Sequence, residues 1–218
     1  MITSSLKRLA LSFAALCVVV PAFAAWFEVQ PAYYTDYAIG TARAEGGGNF
    51  NPSLSTYGFV DFYGKRDKKF YLSTYYGEIR FMQSLEFVDP ALKKWNLTFE
   101  ANGGTDYDRI GRFGFVWNTS FGKGNAFALK LYPIATRDHD AQAAFFISQA
   151  FTPEFSGFLV FDYGFGDWIF GQKQIYVEAE LRYRLTKRFS VFAQGRQFEP
   201  AAGFKLDLTP VLGVKFSF

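Results

Sequence analysis

The chain has 218 residues, with 23 Lys and Arg against 20 Asp and Glu, one His, one Cys and a formal net charge of +3. That near balance excludes the basic surface on which nucleic-acid binding depends, and a single cysteine excludes a disulfide framework or a cysteine-ligated metal. Aromatic residues reach 21% of the chain while mean hydropathy is close to zero, so the apolar residues are dispersed rather than gathered into long runs.

Residues 1–24 have the pattern of an export signal. Lys7 and Arg8 form its positive start, residues 9–20 its apolar core, and Ala22-Phe23-Ala24 a small-x-small cleavage site. The apolar run is short for a membrane anchor, and Leu16 before Cys17 is not the small residue a lipoprotein signal wants. The mature chain is expected to be residues 25–218, with no thiol chemistry, no metal and no cofactor. Beyond the signal no apolar run is long enough for a membrane helix.

Residues 26–39 are aromatic and strand-like but alternate poorly, and Gly46-Gly47-Gly48-Asn49-Phe50-Asn51-Pro52 has the composition of a turn or loop. From residue 54 a period of two takes over. Over residues 54–63, Val60 and Phe62 lie on one face and Phe59, Asp61 and Tyr63 on the other. After a charged connection at 64–69, residues 72–87 set Tyr75, Ile79, Phe81 and Leu85 against Glu78, Arg80, Ser84 and Glu86. Trp95, Leu97, Phe99 and Ala101 oppose Asn96, Thr98, Glu100 and Asn102; Phe113, Phe115, Trp117 and Phe121 oppose Arg112, Asn118 and Ser120. Past the tight return Gly122-Lys123-Gly124-Asn125, Phe127, Leu129 and Leu131 oppose Ala128, Lys130 and Tyr132. Two noisier strands, 142–150 and 155–163, flank a turn at Thr152-Pro153 and place Ser148, Ser156 and Asp162 inside, and residues 164–171 read as a loop rich in Gly, Asp and Trp.

The clearest hairpin follows. Ile175, Val177, Ala179, Leu181, Tyr183 and Leu185 face away from Gln174, Tyr176, Glu178, Glu180, Arg182 and Arg184. After Thr186-Lys187-Arg188, Phe189, Val191 and Ala193 face away from Ser190, Phe192, Gln194 and Arg196. Residues 199–203 connect to a last strand in which Leu212, Val214, Phe216 and Phe218 oppose Gly213, Lys215 and Ser217.

Strands of this length and alternation, many aromatics and an export signal describe an all-β, antiparallel transmembrane β-barrel of a Gram-negative outer membrane, with lipid outside and a polar lumen. The clear segments number eleven, whereas single-chain barrels of this class have an even number of strands. With a periplasmic C-terminus and the short turns on the periplasmic side, residues 26–50 hold two strands or none. Two are expected, giving twelve strands, with ten as the alternative.

The ordered phrases resemble the Tsx-type nucleoside-specific channels of outer membranes. The likeness lies in Phe59-Val60-Asp61-Phe62-Tyr63-Gly64, in Tyr76-Gly77-Glu78-Ile79 with Ser84-Leu85, and in Arg112-Phe113-Gly114-Phe115 with the return into 126–132. It continues through Phe151-Thr152-Pro153 with Gly157-Phe158 and Asp162, then the hairpin and the terminal strand. The resemblance covers about residues 57–218 and implies a monomeric twelve-stranded barrel that passes nucleosides by facilitated diffusion. A terminal aromatic, Phe218, resembles the signal by which the outer-membrane assembly machinery recognises its clients.

A nucleoside presents a flat base to stack on and hydroxyls to bond. The inward faces supply Asp61, Glu78, Glu100, Asn118, Glu178 and Glu180 as acceptors and Phe59, Tyr63, Tyr132, Tyr176 and Phe192 as rings. The alternative use of the same charges is to pair across the lumen, Glu178 and Glu180 with Arg80, Arg112, Lys130, Arg182, Arg184 or Arg196, and simply fill a small barrel. Tyr33, Tyr34, Trp95, Trp117, Trp168 and Tyr183 are assigned to interfacial girdles. His139, in Thr136-Arg137-Asp138-His139-Asp140, is the one opening for a lipid-modifying enzyme, and a solvated loop histidine is the plainer reading. The function expected is a passive channel for nucleosides or similar small polar solutes, without enzyme activity. A structural barrel without transport is the alternative.

Overall fold

The computed structural model describes residues 26–35, 39–65, 68–105, 109–136, 141–169 and 172–218. The expected signal at 1–24, with Cys17, and the Asp138-His139-Asp140 stretch lie outside the described residues, as does the side chain of Trp168. The described chain is a closed barrel of twelve antiparallel strands. They are β1 (Trp26–Tyr34), β2 (Ile39–Asn51), β3 (Leu54–Lys65), β4 (Lys68–Ser84), β5 (Trp95–Gly104) and β6 (Ile110–Ser120), then β7 (Ala126–Ala135), β8 (Gln142–Ala150), β9 (Phe155–Ile169), β10 (Gln172–Arg184), β11 (Phe189–Pro200) and β12 (Thr209–Ser217). Each strand pairs with its sequence neighbours, and β1 pairs with β12 to close the ring. Twelve is therefore the strand number, and residues 26–51 supply the two strands that alternation alone left blurred.

Two stretches differ from the sequence expectation. Gly46 to Gly48 lie within β2 rather than in a turn; a Cβ on Gly47 would stand 2.8 Å from the Thr56 carbonyl oxygen and 3.4 Å from the Trp26 indole. Glycine there serves close approach, not reversal. The reversal comes later, where the Asn51 side-chain oxygen accepts the amides of Ser53 at 2.8 Å and Leu54 at 2.9 Å, an Asx turn. Residues 164–169 continue β9, with Gly164 opposite Gln174 and Ile169 opposite Gln172, because hairpin pairing with β10 overrides a loop-like composition. The connection after β4 contains a short 3-10 turn, Pro90–Leu92, capped by the Asp89 carboxylate accepting the Ala91 amide at 2.8 Å.

Alternation sets the two surfaces. Ile79, Phe99, Phe113, Leu181, Tyr183, Leu212 and Phe216 lie on the outer face and are each at least two-fifths exposed, an apolar surface far too continuous for a water-facing wall. On the inner face Arg43 sits opposite Asp61, Glu100 opposite Arg112 and Glu178 opposite Arg196. Cross-strand partners of opposite charge support the register, and a one-residue slip would turn every one of them toward the apolar side.

The closing seam has its own device. On β12 a Cβ at Gly213 would stand 2.5 Å from the Phe192 ring and 2.7 Å from both the Ala32 methyl and the Pro31 carbonyl oxygen. Gly213 lies opposite Phe192 on one side and Ala32 on the other. Gly213→Val is expected to destabilise the barrel by about 1 to 3 kcal/mol through overpacking, read as an earlier unfolding midpoint by circular dichroism in urea. An unchanged midpoint would show that the seam is not closely packed.

Candidate functional site

The inner faces enclose a cavity of about 1060 Å³ bordered by every strand except β5 among the described residues. That volume lies just above the range of roughly 300 to 1,000 Å³ usual for small-molecule pockets. Phe59, Asp61, Tyr63, Glu78, Asn118, Tyr176, Glu178 and Glu180 all border it. Glu100, Tyr132 and Phe192 carry inward parity but do not. Glu100 is 2% exposed and held beneath arginines, Tyr132 is 1% exposed, and the Phe192 ring lies over Gly213 at the seam. Eight of the expected residues therefore face the cavity, and the other three belong to the wall.

The largest polar constellation spans the closing seam of the ring from both flanks. Arg43 on β2 grips Asp61 on β3 through two nitrogens, at 2.7 and 2.8 Å, and reaches Glu178 on β10 at 3.4 Å. Arg196 on β11 lies 3.6 Å from Glu178 and 3.7 Å from Asp61, and donates to the Tyr34 hydroxyl at 3.1 Å. Tyr63 donates to Asp61 at 3.1 Å and Tyr176 donates to Glu178. Gln194 donates to Glu178 at 2.6 Å and Glu180 at 3.2 Å. Two arginines and two carboxylates thus bridge β2–β3 to β10–β11 across the seam strands. The Asp61 and Glu178 side chains are only 3% and 4% exposed, and such burial is tolerable because each charge is paired and hydrogen-bonded.

Two further groups lie along the wall. On β4 to β6, Glu100 accepts from Arg80 at 2.8 Å and Arg112 at 2.9 Å, and Glu78 also pairs with Arg80. On β1, β2 and β12, Lys215 lies 3.0 Å from Glu28 and 3.2 Å from Glu45, with Gln30 and Tyr57 also donating to Glu45. Of the cations weighed as partners for Glu178 and Glu180, Arg196 and Arg182 fill that role, the latter at 2.6 Å from Glu180. Arg80 and Arg112 serve Glu100 instead, and Arg184 donates to the Pro153 carbonyl at a turn. Lys130 forms no ion pair among the described residues.

The rings divide similarly. Trp26, Tyr57, Phe59 and Tyr76 follow one another around the cavity wall with centroids 6.1, 6.2 and 5.9 Å apart, and the Arg43 guanidinium lies 4.6 Å over the Phe59 ring. Tyr34, assigned to a girdle from sequence, instead points inward beside Tyr63 at 6.4 Å. Phe146 and Phe158, 5.8 Å apart, border the opposite wall. Sequence reasoning did not assign Arg43, Tyr57, Tyr76, Phe146, Phe158 or Phe198 to the lumen, although all six border the cavity. The signal for Arg43 was present in Thr41, Arg43 and Glu45 at every second position, obscured by the glycine run after it.

The chain matches no protein-family model, and no curated protein matches it in sequence. Solved structures do resemble it in fold. A KdgM porin in complex with disordered oligogalacturonate superposes with a TM-score of 0.58 at 12% identity, covering 88% of this chain and 99% of that one. A NanC porin gives 0.57 at 9% identity, with 87% and 98% covered. At such identities the likeness is one of fold: a twelve-stranded barrel of the porin type.

Because Arg43 serves two carboxylates at once, Arg43→Ala is expected to cost on the order of 3 kcal/mol, as for breaking a buried pair. The double variant Arg43→Ala/Asp61→Ala should lose less than the sum of the two single variants by about 0.5 to 3 kcal/mol. Denaturant titration of the folded barrel measures both, and strict additivity would mean that the pair is not coupled.

Proposed function

We propose that this chain is an outer-membrane channel through which small polar solutes, nucleosides among them, pass by diffusion without a chemical step. The observation that carries the proposal is the pairing of an apolar outer surface with a polar cavity of about 1060 Å³ inside one closed barrel. Lipid covers the first and solute occupies the second. Export by the signal at 1–24, a monomeric barrel with both termini on the periplasmic side, and delivery to the assembly machinery through Phe218 complete the proposal.

Solute chemistry follows from the lining. Every arginine bordering the cavity, Arg43, Arg80, Arg112, Arg182 and Arg196, lies within ion-pair distance of a carboxylate. A lumen so neutralised offers little to an acidic polymer of the kind the KdgM porin structure contains. It offers much to a neutral, flat molecule. The row from Trp26 through Tyr57 and Phe59 to Tyr76 presents ring faces and edges, while carboxylates with spare lone pairs lie beside it. Base–aromatic stacking is worth about 1 to 3 kcal/mol per base, enough to favour entry and too little to trap the solute.

Liposomes carrying the protein are expected to take up nucleosides faster than sugars of equal size. Phe59→Ala and Tyr176→Ala should each reduce that preference while the barrel still assembles, judged by circular dichroism. Equal uptake of both solutes would sink the nucleoside reading, and absent uptake by a folded barrel would sink the channel itself.

A further inference from the structure

The inner wall formed by β7, β8 and β9 differs from the rest of the lumen. Lys130 on β7 lies opposite Ala144 on β8, and Ala144 lies opposite Asp162 on β9, so the three occupy one row on the same inward face. Two strand spacings put the Lys130 and Asp162 backbones about 10 Å apart. Both side chains border the cavity, yet neither takes part in an ion pair among the described residues, whereas every arginine on the cavity wall does. The carboxylates facing Lys130 from elsewhere, Glu78 and Glu100, are both engaged by Arg80.

Two oxygens on this wall have unmet demand. Asp162 Oδ1 and Gln142 Oε1 are shut off from solvent and accept no hydrogen bond among the described residues. A buried acceptor left so costs about 1 to 3 kcal/mol, which a donor brought by a solute would recover. Gln142 and Phe146 are the inward residues before and after Ala144 on β8, and both border the cavity. Ala144, 2% exposed, is packed within the wall between Lys130 and Asp162, and Phe146 supplies the apolar surface that borders the cavity beside them.

We propose that Lys130 and Asp162 form a binding subsite for small zwitterions. A solute carboxylate meets Lys130, a solute ammonium meets Asp162 and Gln142, and the intervening methylenes lie beside Phe146. This adds a second solute class to the flat neutral one; it rests on the reading of the cavity as a solute path, not on nucleoside transport. A molecule with one charge satisfies one end and leaves the other exposed to its repulsion, so the wall selects for both charges together.

The test uses the full folded barrel in detergent and in planar bilayers, with 4-aminobutyrate as the zwitterion and butyrate and butylammonium as its single-charge analogues. Saturation-transfer NMR titration is expected to give at least tenfold tighter binding of 4-aminobutyrate than of either analogue. Lys130→Gln and Asp162→Asn should each abolish that advantage. The exchange variant Lys130→Asp/Asp162→Lys should retain it, because the ligand can bind reversed; this separates loss of the site from loss of the fold. Equal binding of the three compounds, or an advantage that survives both single variants, overturns the subsite. Binding without conductance would overturn the channel reading and leave the subsite standing, while conductance with no zwitterion preference would do the opposite.

Discussion

The structure depends on charges that have been turned inward and must be answered there. In a barrel wall one cross-strand slip exchanges inside for outside, and this interior holds Arg43, Asp61, Glu178 and Arg196 in mutual contact. None of these groups could face the apolar exterior without a penalty of several kcal/mol. The network therefore acts on register as much as on stability. It also reaches over β1 and β12, the two strands whose pairing closes the ring, so the closing seam is tied from inside by residues that belong to neither strand.

The same pairing sets what the lumen can do. Cations already held by carboxylates contribute little net field to a passing solute, and recognition falls to rings, to hydrogen bonds and to the charges left over. The aromatic row lies on β1, β3 and β4, while Lys130 and Asp162, which form no ion pair among the described residues, lie on β7 and β9. With the strands in sequence order around the ring, these are opposite walls. The lumen thus has an aromatic wall on one side and a wall with Lys130 and Asp162 on the other. The porins that share the fold differ from this chain at about nine residues in ten, and the inner-face residues are where a barrel changes its cargo without changing its architecture.

Alternation was enough to reveal most of this from sequence. The hairpin of β10 and β11 places Tyr176, Glu178 and Glu180 inward in every register compatible with Ile175, Val177 and Leu181 outside, because strand periodicity is an exact two and local. The even strand number then left two strands or none before residue 54, where glycine had blurred the pattern, and two were preferred. Tyr34 was misassigned for a related reason. Adjacent Tyr33 and Tyr34 offer no chemical contrast, so parity in β1 is set by Glu28 and Gln30 several residues away.

The sequence by itself therefore determined the class of fold, an even strand number of twelve or ten, and the face on which nearly every charged residue lies, since all three follow from local periodicity and chain parity. Only the tertiary structure decided which inward groups meet. Arg43 and Glu178 are 135 residues apart and come together through ring closure, curvature and side-chain reach, none of which leaves a periodic trace. The same holds for the residues that point inward without reaching the cavity. Glu100 is covered by arginines from both neighbouring strands, and Phe192 spends its ring on covering Gly213. Parity gives direction, whereas depth depends on what stands on the adjacent strands.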